Sequence, residues 1–391
     1  MYDKILEDNP TKSERTDFST PFTTNTAKNT ANTLYKAQEE NTDVYYFAGI
    51  DGVAAHCEYN DKPIIDVSTS KLNETTCTGK IQLCHLKEGK YLYLGNSSCS
   101  WYAGTVVESE VKWIPDFSKP INNWVKFGKN ASNQDLYWRI IRTNADGSIR
   151  MVFAGNSPDT TEAYIGISPV SNIQSNDTMY VGYKYGTSGS LANNRLNTND
   201  STIKKFIESW YKTNLTNYTK YLSNDAVYCN DRSIGSGTYS VYGTTEFEYG
   251  ASARLDANPT YTCPSTYDAF SVNNSLAKLT YPIGLMTADE VVFAGGVYHS
   301  TGSLKPWYNR NSKTGDPGTD PSYSVVGSHW YWSMSPAGDT GSNGNGYMII
   351  YPQLSGSLSG AAVRPVISLK GNLIVASGNG SVSSPYQIVE N

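Results

Sequence analysis

Side chains able to serve as nucleophile, base or metal ligand are few in this chain, and their spacing decides what they can do. The four histidines are His56, His85, His299 and His329. None stands in an H-E-x-x-H arrangement, the helical spacing that presents two imidazoles to one zinc ion. The sequence also lacks a G-x-S-x-G nucleophile elbow, a P-loop and a D-x-[DN]-x-[DN]-G calcium loop. Gly344-Asn345-Gly346 begins a dinucleotide fingerprint but lacks the rest of it and falls in a polar loop. Asp289 and Glu290 are adjacent carboxylates, yet Glu290 stands three residues after Thr287, the spacing of a helix capping box. A structural role is therefore expected for that pair. Asp225 and Asp231 flank Cys229, and Asp231 is expected to pair locally with Arg232. His329, beside Trp330, reads as a surface or hydrogen-bonded histidine. These residues lead us to expect no catalytic group, no cofactor and no metal.

The six cysteines fall into two groups, Cys57, Cys77, Cys84 and Cys99, then Cys229 and Cys263. An even number in a chain rich in Tyr and Asn points to disulfides and an oxidising compartment. Zinc is the rival ligand for thiolates, but there is no C-x-x-C, and His56 and His85 do not supply a finger spacing. Cys229 and Cys263 are expected to form one bridge. The other four cysteines permit three pairings, and the sequence does not choose among them.

With chemistry set aside, the stretch Gly327 to Leu369 stands out as a surface for binding. It opens on Trp330, Tyr331 and Trp332, expected to anchor a buried strand, and closes on Val363 to Leu369, a second run of strand composition. Between them lie small or adaptable residues: Ala337, Gly338, Asp339, Ser342, Asn343, Asn345, Gly346, Ser355, Ser357 and Ser359. Tyr347, Tyr351 and Gln353 are interleaved. Tyr offers contact area at low entropic cost, and small polar residues adapt their hydrogen bonds, which is how binding loops are composed. The plainer reading is a set of glycine-rich hairpins in which these residues serve only the turns.

The elements that must hold this stretch are legible in part. Leu136 to Arg142 and Ser148 to Phe153 read as strands around an Asp146-Gly147 hairpin turn, and Asp43 to Gly49 as another strand. Ser201 to Tyr211 is the strongest helix, with Ile203, Phe206, Ile207 and Trp210 expected to form one core-facing stripe. A second helix starts at Thr287 and ends at Gly295-Gly296. Tyr2 to Asp8 reads as the end of a helix stopped at Asn9-Pro10, Leu34 to Glu40 as a short helix, and Thr11 to Asn32 as irregular. Residues 50–122 read as an inserted, cysteine-rich β module stapled by disulfides. The expected division is an N-terminal segment 1–49 packing on the main domain, the module, a main domain 123–370 and a terminal strand segment 371–391. The fold class expected is α+β, two helices among many short strands. A net charge of −5 without any Lys/Arg run disfavours nucleic acid and anionic membrane as partners. Thirty tyrosines on an uncharged polar background suit an extracellular surface. The polar start contains neither a secretory leader nor an apolar span, so an extracellular protein would imply a trimmed chain with Met1 added.

Tyr137 to Arg150, Tyr228 to Arg232, Tyr281 to Glu290, Trp332-Ser333-Met334-Ser335-Pro336 and Val363 to Leu369 together resemble a family of surface proteins from gut Firmicutes. They are also similar to the variable proteins of diversity-generating retroelements. The likeness covers about residues 123–370 and leaves out the cysteine-rich module. It implies a C-type-lectin-like fold of the formylglycine-generating-enzyme type, with ligand-binding residues near the C-terminus. On this chain those positions are Ala337, Asp339, Asn343, Asn345, Tyr347, Ile349, Tyr351, Gln353, Ser357 and Ser359, together with Tyr331; Arg364 is framework. The E-P-N, Q-P-D and W-N-D motifs of calcium-dependent sugar binding are missing. No cysteine follows Cys263 to supply the late reactive pair of the enzyme relative. The expectation is a non-catalytic cell-surface or secreted adhesin or receptor-binding protein, a pilus tip being one setting for it, whose partner is a protein or glycan on another cell, phage or host surface. Any membrane contact would come through an anchor outside this chain. A formylglycine-generating-type oxidoreductase and a structural surface protein are the alternatives.

Overall fold

Asp146-Gly147 turns the chain between two long central strands of the larger sheet in a computed structural model. That model describes residues 1–20, 33–49, 56–60, 62–66, 72–87, 89–94, 98–114, 121–168, 177–241, 246–255, 257–296, 307–309, 326, 330–339, 347–351, 353–356 and 360–389. Strands Asp135–Thr143 and Ile149–Gly155 run antiparallel, and Gly147 adopts φ 77°, a conformation open to glycine at no steric cost. Asp146 Oδ1 accepts the Ser148 amide at 2.9 Å and closes the turn. All of Ile149–Gly155 is buried, which makes this an interior strand with apolar contacts on both faces.

Around this hairpin an eight-stranded sheet assembles in the order Thr11–Glu14, Thr33–Glu39, Thr42–Tyr46, Asp135–Thr143, Ile149–Gly155, Val366–Leu369 and Ile283–Gly284, with Trp124–Lys129 also paired to Asp135–Thr143. Two expectations are corrected. Leu34 to Glu40 is not a helix: Thr33–Glu39 forms a hairpin with Thr42–Tyr46 about Glu40, whose φ is 55°. Leu34 and Tyr35 are buried in that sheet, so pairing and burial outweigh the helical propensity of Lys, Ala, Gln and Glu. Nor is all of Thr11 to Asn32 irregular, since Thr11–Glu14 adds a parallel edge strand; residues 21–32 lie outside the described residues.

Helix Thr202–Asn214 is capped by Ser201, whose Oγ accepts the Lys204 amide at 3.1 Å. Its buried row is Ile203, Ile207 and Tyr211. Phe206 is 36% exposed and Trp210 only half-buried, so these two form a shoulder beside the core row and not part of one core-facing stripe. Helix Ala288–Phe293 starts with the expected capping box, and every one of its residues is buried. Helix Tyr2–Asp8 ends before Pro10, as the sequence implies, and a short helix Gly250–Arg254 was not anticipated.

The cysteine-rich segment carries a six-stranded sheet of its own, running from His56 to Ile114, whose strands pair only with one another among the described residues. Cys57 bonds Cys77 and Cys84 bonds Cys99, each bridge lying in a separate small apolar cluster. At the far end, Val375–Ser377 pairs with Gln387–Ile388. That segment is clipped to the main body where the Trp124 amide donates to Gly380 O at 2.8 Å.

The architecture is mixed α+β, mostly strand with few helices and three disulfides. Among the described residues no helix is long and apolar enough to cross a membrane. The disulfides are compatible with an extracellular protein. The Cys229–Cys263 bridge closes the longest loop, 34 residues apart in sequence. Replacing both cysteines with Ser should lower unfolding free energy by about 3–4 kcal/mol on the chain-entropy estimate. The same exchange at Cys84 and Cys99, 15 residues apart, should cost somewhat less. Urea midpoints of the two double variants test the order.

Candidate ligand-binding site

The late stretch rests on a second sheet, seven strands in all. Its order is Ile167–Ser168, Ala361–Ala362, Tyr331–Asp339, Phe247–Tyr249 and Ile234–Gly237. Strand Tyr347–Tyr351 also pairs with Tyr331–Asp339, and Gln353–Gly356 pairs with Tyr347–Tyr351. Strand Tyr331–Asp339 is therefore the spine of the site. Ser335 Oγ accepts the Ala288 amide at 2.9 Å and the Met334 amide donates to Met286 O at 2.7 Å, fastening the spine to the start of the capped helix.

The predicted site residues divide on this frame. Tyr331 is 2% exposed and its ring faces the Arg364 guanidinium, 5.4 Å from ring centroid to Cζ. Ala337 is 4% exposed within a cluster of Ala251, Leu255, Ala288 and Val292. Neither can touch a macromolecular ligand, and both are corrected to bracing positions. The reason is that Tyr331–Asp339 is a central strand, flanked by paired neighbours and backed by helices. Asp339 ends the spine, its backbone opposite Phe247. Tyr347 lies in register with Gly338 and Gly356, Ile349 with Leu354, Tyr351 with Tyr331, and Gln353 with Ile350. Asn343, Asn345, Ser357 and Ser359 lie outside the described residues. Trp330, expected inside the strand, is 45% exposed, whereas Trp332 is fully buried. The indole at the start of the spine therefore stands in solvent, where strand composition alone places it in the core.

The carboxylates near the site are engaged in structure. Glu290 Oε2 accepts the Thr287 amide at 3.0 Å, and Oε1 meets Arg142 Nε at 3.1 Å and the Arg150 guanidinium. Arg142 also donates to Glu39 Oε1 at 2.9 Å. Burial opposes charge on Arg142, yet Glu39 and Glu290 together hold its pKa above the ordinary arginine value. Asp231 does not pair with Arg232. It pairs with Arg254, which also grips Asp289 by two bonds of 2.9 and 2.7 Å. Arg232 instead binds Asp268 at 2.6 Å. Burial pushes the Asp289 carboxyl above its usual range, with Arg254 pulling the other way. The cavity among Arg142, Asp231, Arg254, Asp289, Glu290 and Ser335 has a volume of about 10 Å³, about the space of one water.

Of the histidines, His56 meets Glu58 at 2.8 Å and His85 meets Ser109 at 2.9 Å; His299 and His329 lie outside the described residues. All six sulfurs are in disulfides, so none is a thiolate ligand for zinc. Arg364 is framework, as the resemblance implied: it is buried and donates to Ala163 O, Phe153 O and Tyr308 O. Burial pulls its pKa down to about 10. The sequence signal for this network is the arginines themselves, since Arg139, Arg142 and Arg150 interrupt strands whose other residues are mostly core.

Three substitutions test the frame. Glu290→Gln keeps the size of the side chain but leaves Arg142 and Arg150 short of a counter-charge, and should cost about 3–5 kcal/mol in urea unfolding. Thr287→Ala removes only the cap and should cost about 1 kcal/mol. Gly338 has φ 116°, and a Cβ there would stand 2.4 Å from Phe247 O. Gly338→Ala should therefore cost about 1–3 kcal/mol, read in the same way. Set against known proteins, the chain matches no protein-family model, no curated protein and no solved structure.

Proposed function

We propose that this is a non-catalytic, extracellular ligand-binding protein. The late strands from Trp330 to Gly356 present the binding surface, and the scaffold is of C-type-lectin-like kind. The observation that carries the reading is the division within the stretch itself. Tyr331, Trp332 and Ala337 are sealed inside, while Trp330 stands out into solvent at the same strand's entrance. A large exposed aromatic on a rigid strand is a good anchor for a partner, because little side-chain entropy is lost when it is covered. The two further strands, Tyr347–Tyr351 and Gln353–Gly356, extend from the buried spine to the margin of the sheet. Tyr347, Ile349, Tyr351 and Gln353 are the positions proposed to contact the ligand there, with Asp339, Asn343, Asn345, Ser357 and Ser359 beside them.

The nearby acids support binding over catalysis, since Asp231, Asp289 and Glu290 are each committed to an arginine. The sulfurs support it over a thiol-dependent oxidoreductase, since each of the six cysteines is bridged. The partner class proposed is a protein or glycan displayed on another surface.

The test is binding of labelled protein to panels of bacterial and mammalian cells and to immobilised glycans. Trp330→Ala and the double variant Tyr347→Ala/Tyr351→Ala should each weaken capture about tenfold or more, the loss expected of an anchor worth about 1.4 kcal/mol. Their melting temperatures should stay near that of the parent. Undiminished capture, or unfolding in place of lost capture, would make these residues structural.

A further inference from the structure

A second concave surface lies between the shoulder of helix Thr202–Asn214 and the segment from Glu162 to Gly166, which leads into the edge strand Ile167–Ser168 of the second sheet. Its volume is about 330 Å³, within the range of about 300–1,000 Å³ typical of small-molecule sites. Leu136 and Phe153 make the floor, both buried. Trp210 and Tyr164 supply half-buried rings, and Asn156 and Glu162 supply exposed polar heads.

The groove is preformed. Trp210 is held edge-to-face by Phe153 at 5.5 Å and by Trp138 at 6.5 Å between centroids. Asn214 Oδ1 accepts the Ala131 amide at 3.0 Å, joining the helix to the opposite wall. The segment carrying Glu162 and Tyr164 is stitched to the C-terminal frame, with the Ile165 amide donating to Val363 O at 2.9 Å and the Val363 amide to Gly166 O at 3.0 Å. Gly166 lies so close to Phe206 that a Cβ would stand 2.8 Å from that ring.

Several polar groups in this rigid groove are unused. Among the described residues, Trp210 Nε1 has no acceptor and the Glu162 carboxylate has neither a hydrogen-bond nor an ion-pair partner. Asn156 makes one long bond, its amide nitrogen 3.4 Å from Gln134 Oε1, and its own oxygen accepts none. A ligand here meets two ring surfaces, an indole donor, a carboxylate and a carboxamide. An apolar ligand would strand the polar groups, at a cost of about 1–3 kcal/mol for each one buried unpaired. An anion would face Glu162 with no lysine or arginine among the lining residues. A pyranose satisfies the whole set. Its C–H face lies on an aromatic ring, while neighbouring hydroxyls donate to a carboxylate and exchange bonds with an amide.

We propose that this groove binds one or two units of a neutral saccharide, independently of the surface formed by the late strands. The experiment is saturation-transfer NMR and calorimetry on the intact protein with a panel of neutral mono- and disaccharides, with choline and a sialylated sugar as controls. The expected result is a neutral sugar bound with Kd of about 1 mM or tighter. Glu162→Gln and Asn156→Ala, both at exposed positions, should weaken it about tenfold without moving the melting temperature. Trp210→Ala should abolish it, and Tyr347→Ala/Tyr351→Ala should leave it unchanged. Failure of every neutral sugar to bind at millimolar concentration overturns the proposal. So does sugar binding indifferent to Glu162, Asn156 and Trp210, or choline binding at the groove in place of sugar, which would make it a cation cage. Loss of sugar binding in the Tyr347/Tyr351 variant would assign the sugar to the late strands.

Discussion

Four buried charges hold the larger sheet to one helix. Glu39, Arg142, Glu290 and Arg150 form a chain of alternating sign with no net charge, and each is nearly or fully hidden from solvent. Stripping water from four ions is expensive, and the cluster persists because its other polar atoms are engaged too. Glu290 caps its own helix, Glu39 accepts the Ala145 amide at 2.5 Å, and Arg150 donates to Val227 O at 2.9 Å. Directionality is what such a cluster adds to an apolar core. Hydrophobic contacts would tolerate a helix shifted by part of a turn, whereas a carboxylate shared by a cap and two guanidinium groups would not. Because the Ser335 hydroxyl bonds to the first amide of that helix, the constraint passes to the spine of the second sheet.

Arg139 and Arg364 solve a similar problem by different means. Arg364 is buried against three backbone carbonyls and the ring of Tyr331. Arg139 lies between Trp124 and Trp307, at 4.4 and 5.0 Å from their centroids. Carbonyls and ring faces are weaker partners than carboxylates, and burial without a carboxylate beside it lowers the Arg364 pKa. In return, the guanidinium reaches two carbonyls outside the sheet ladders, those of Ala163 and Tyr308. Ala163 lies in the wall of the aromatic groove. One side chain thus ties that wall to the segment that closes the late strands.

Local signals in the sequence carried the elements that local physics decides. The Asp146-Gly147 turn, the Thr287–Glu290 capping box, the Ser201 cap and the stop before Pro10 each depend on residues a few positions apart. Leu34 to Glu40 was misread because its helix-forming residues are overruled by strands at Thr42–Tyr46 and Thr11–Glu14, contacts that no short window contains. Trp330 and Trp210 were misread for a related reason: aromatic residues in an amphipathic run look like core, yet each sits at the end or shoulder of its element. The pairing of the first four cysteines also needed the fold. Only the module's strand order separates Cys57–Cys77 with Cys84–Cys99 from the other two arrangements. Of the proposed contact positions, Tyr331 and Ala337 were lost to burial because strand centrality is a property of the sheet and not of the strand.

The pattern of constraint bears on how such a surface can change without harm to the fold. Strands Tyr347–Tyr351 and Gln353–Gly356 are held by backbone ladders, and a main-chain hydrogen bond is indifferent to the side chain it carries. Their register is set upstream, where the spine slips by extra residues between Trp332 and Pro336 and again before Gly338. Bulges of this kind fix the alignment of the strands paired beside them. Gly338 in the spine is constrained, since its positive φ and its approach to Phe247 O admit no Cβ. Sequence demands are therefore strict on the spine and the charged cluster, whereas the backbone ladders of the outer strands are themselves indifferent to sequence. That asymmetry is what a recognition surface requires if its contacts are to be exchanged while its scaffold stays the same.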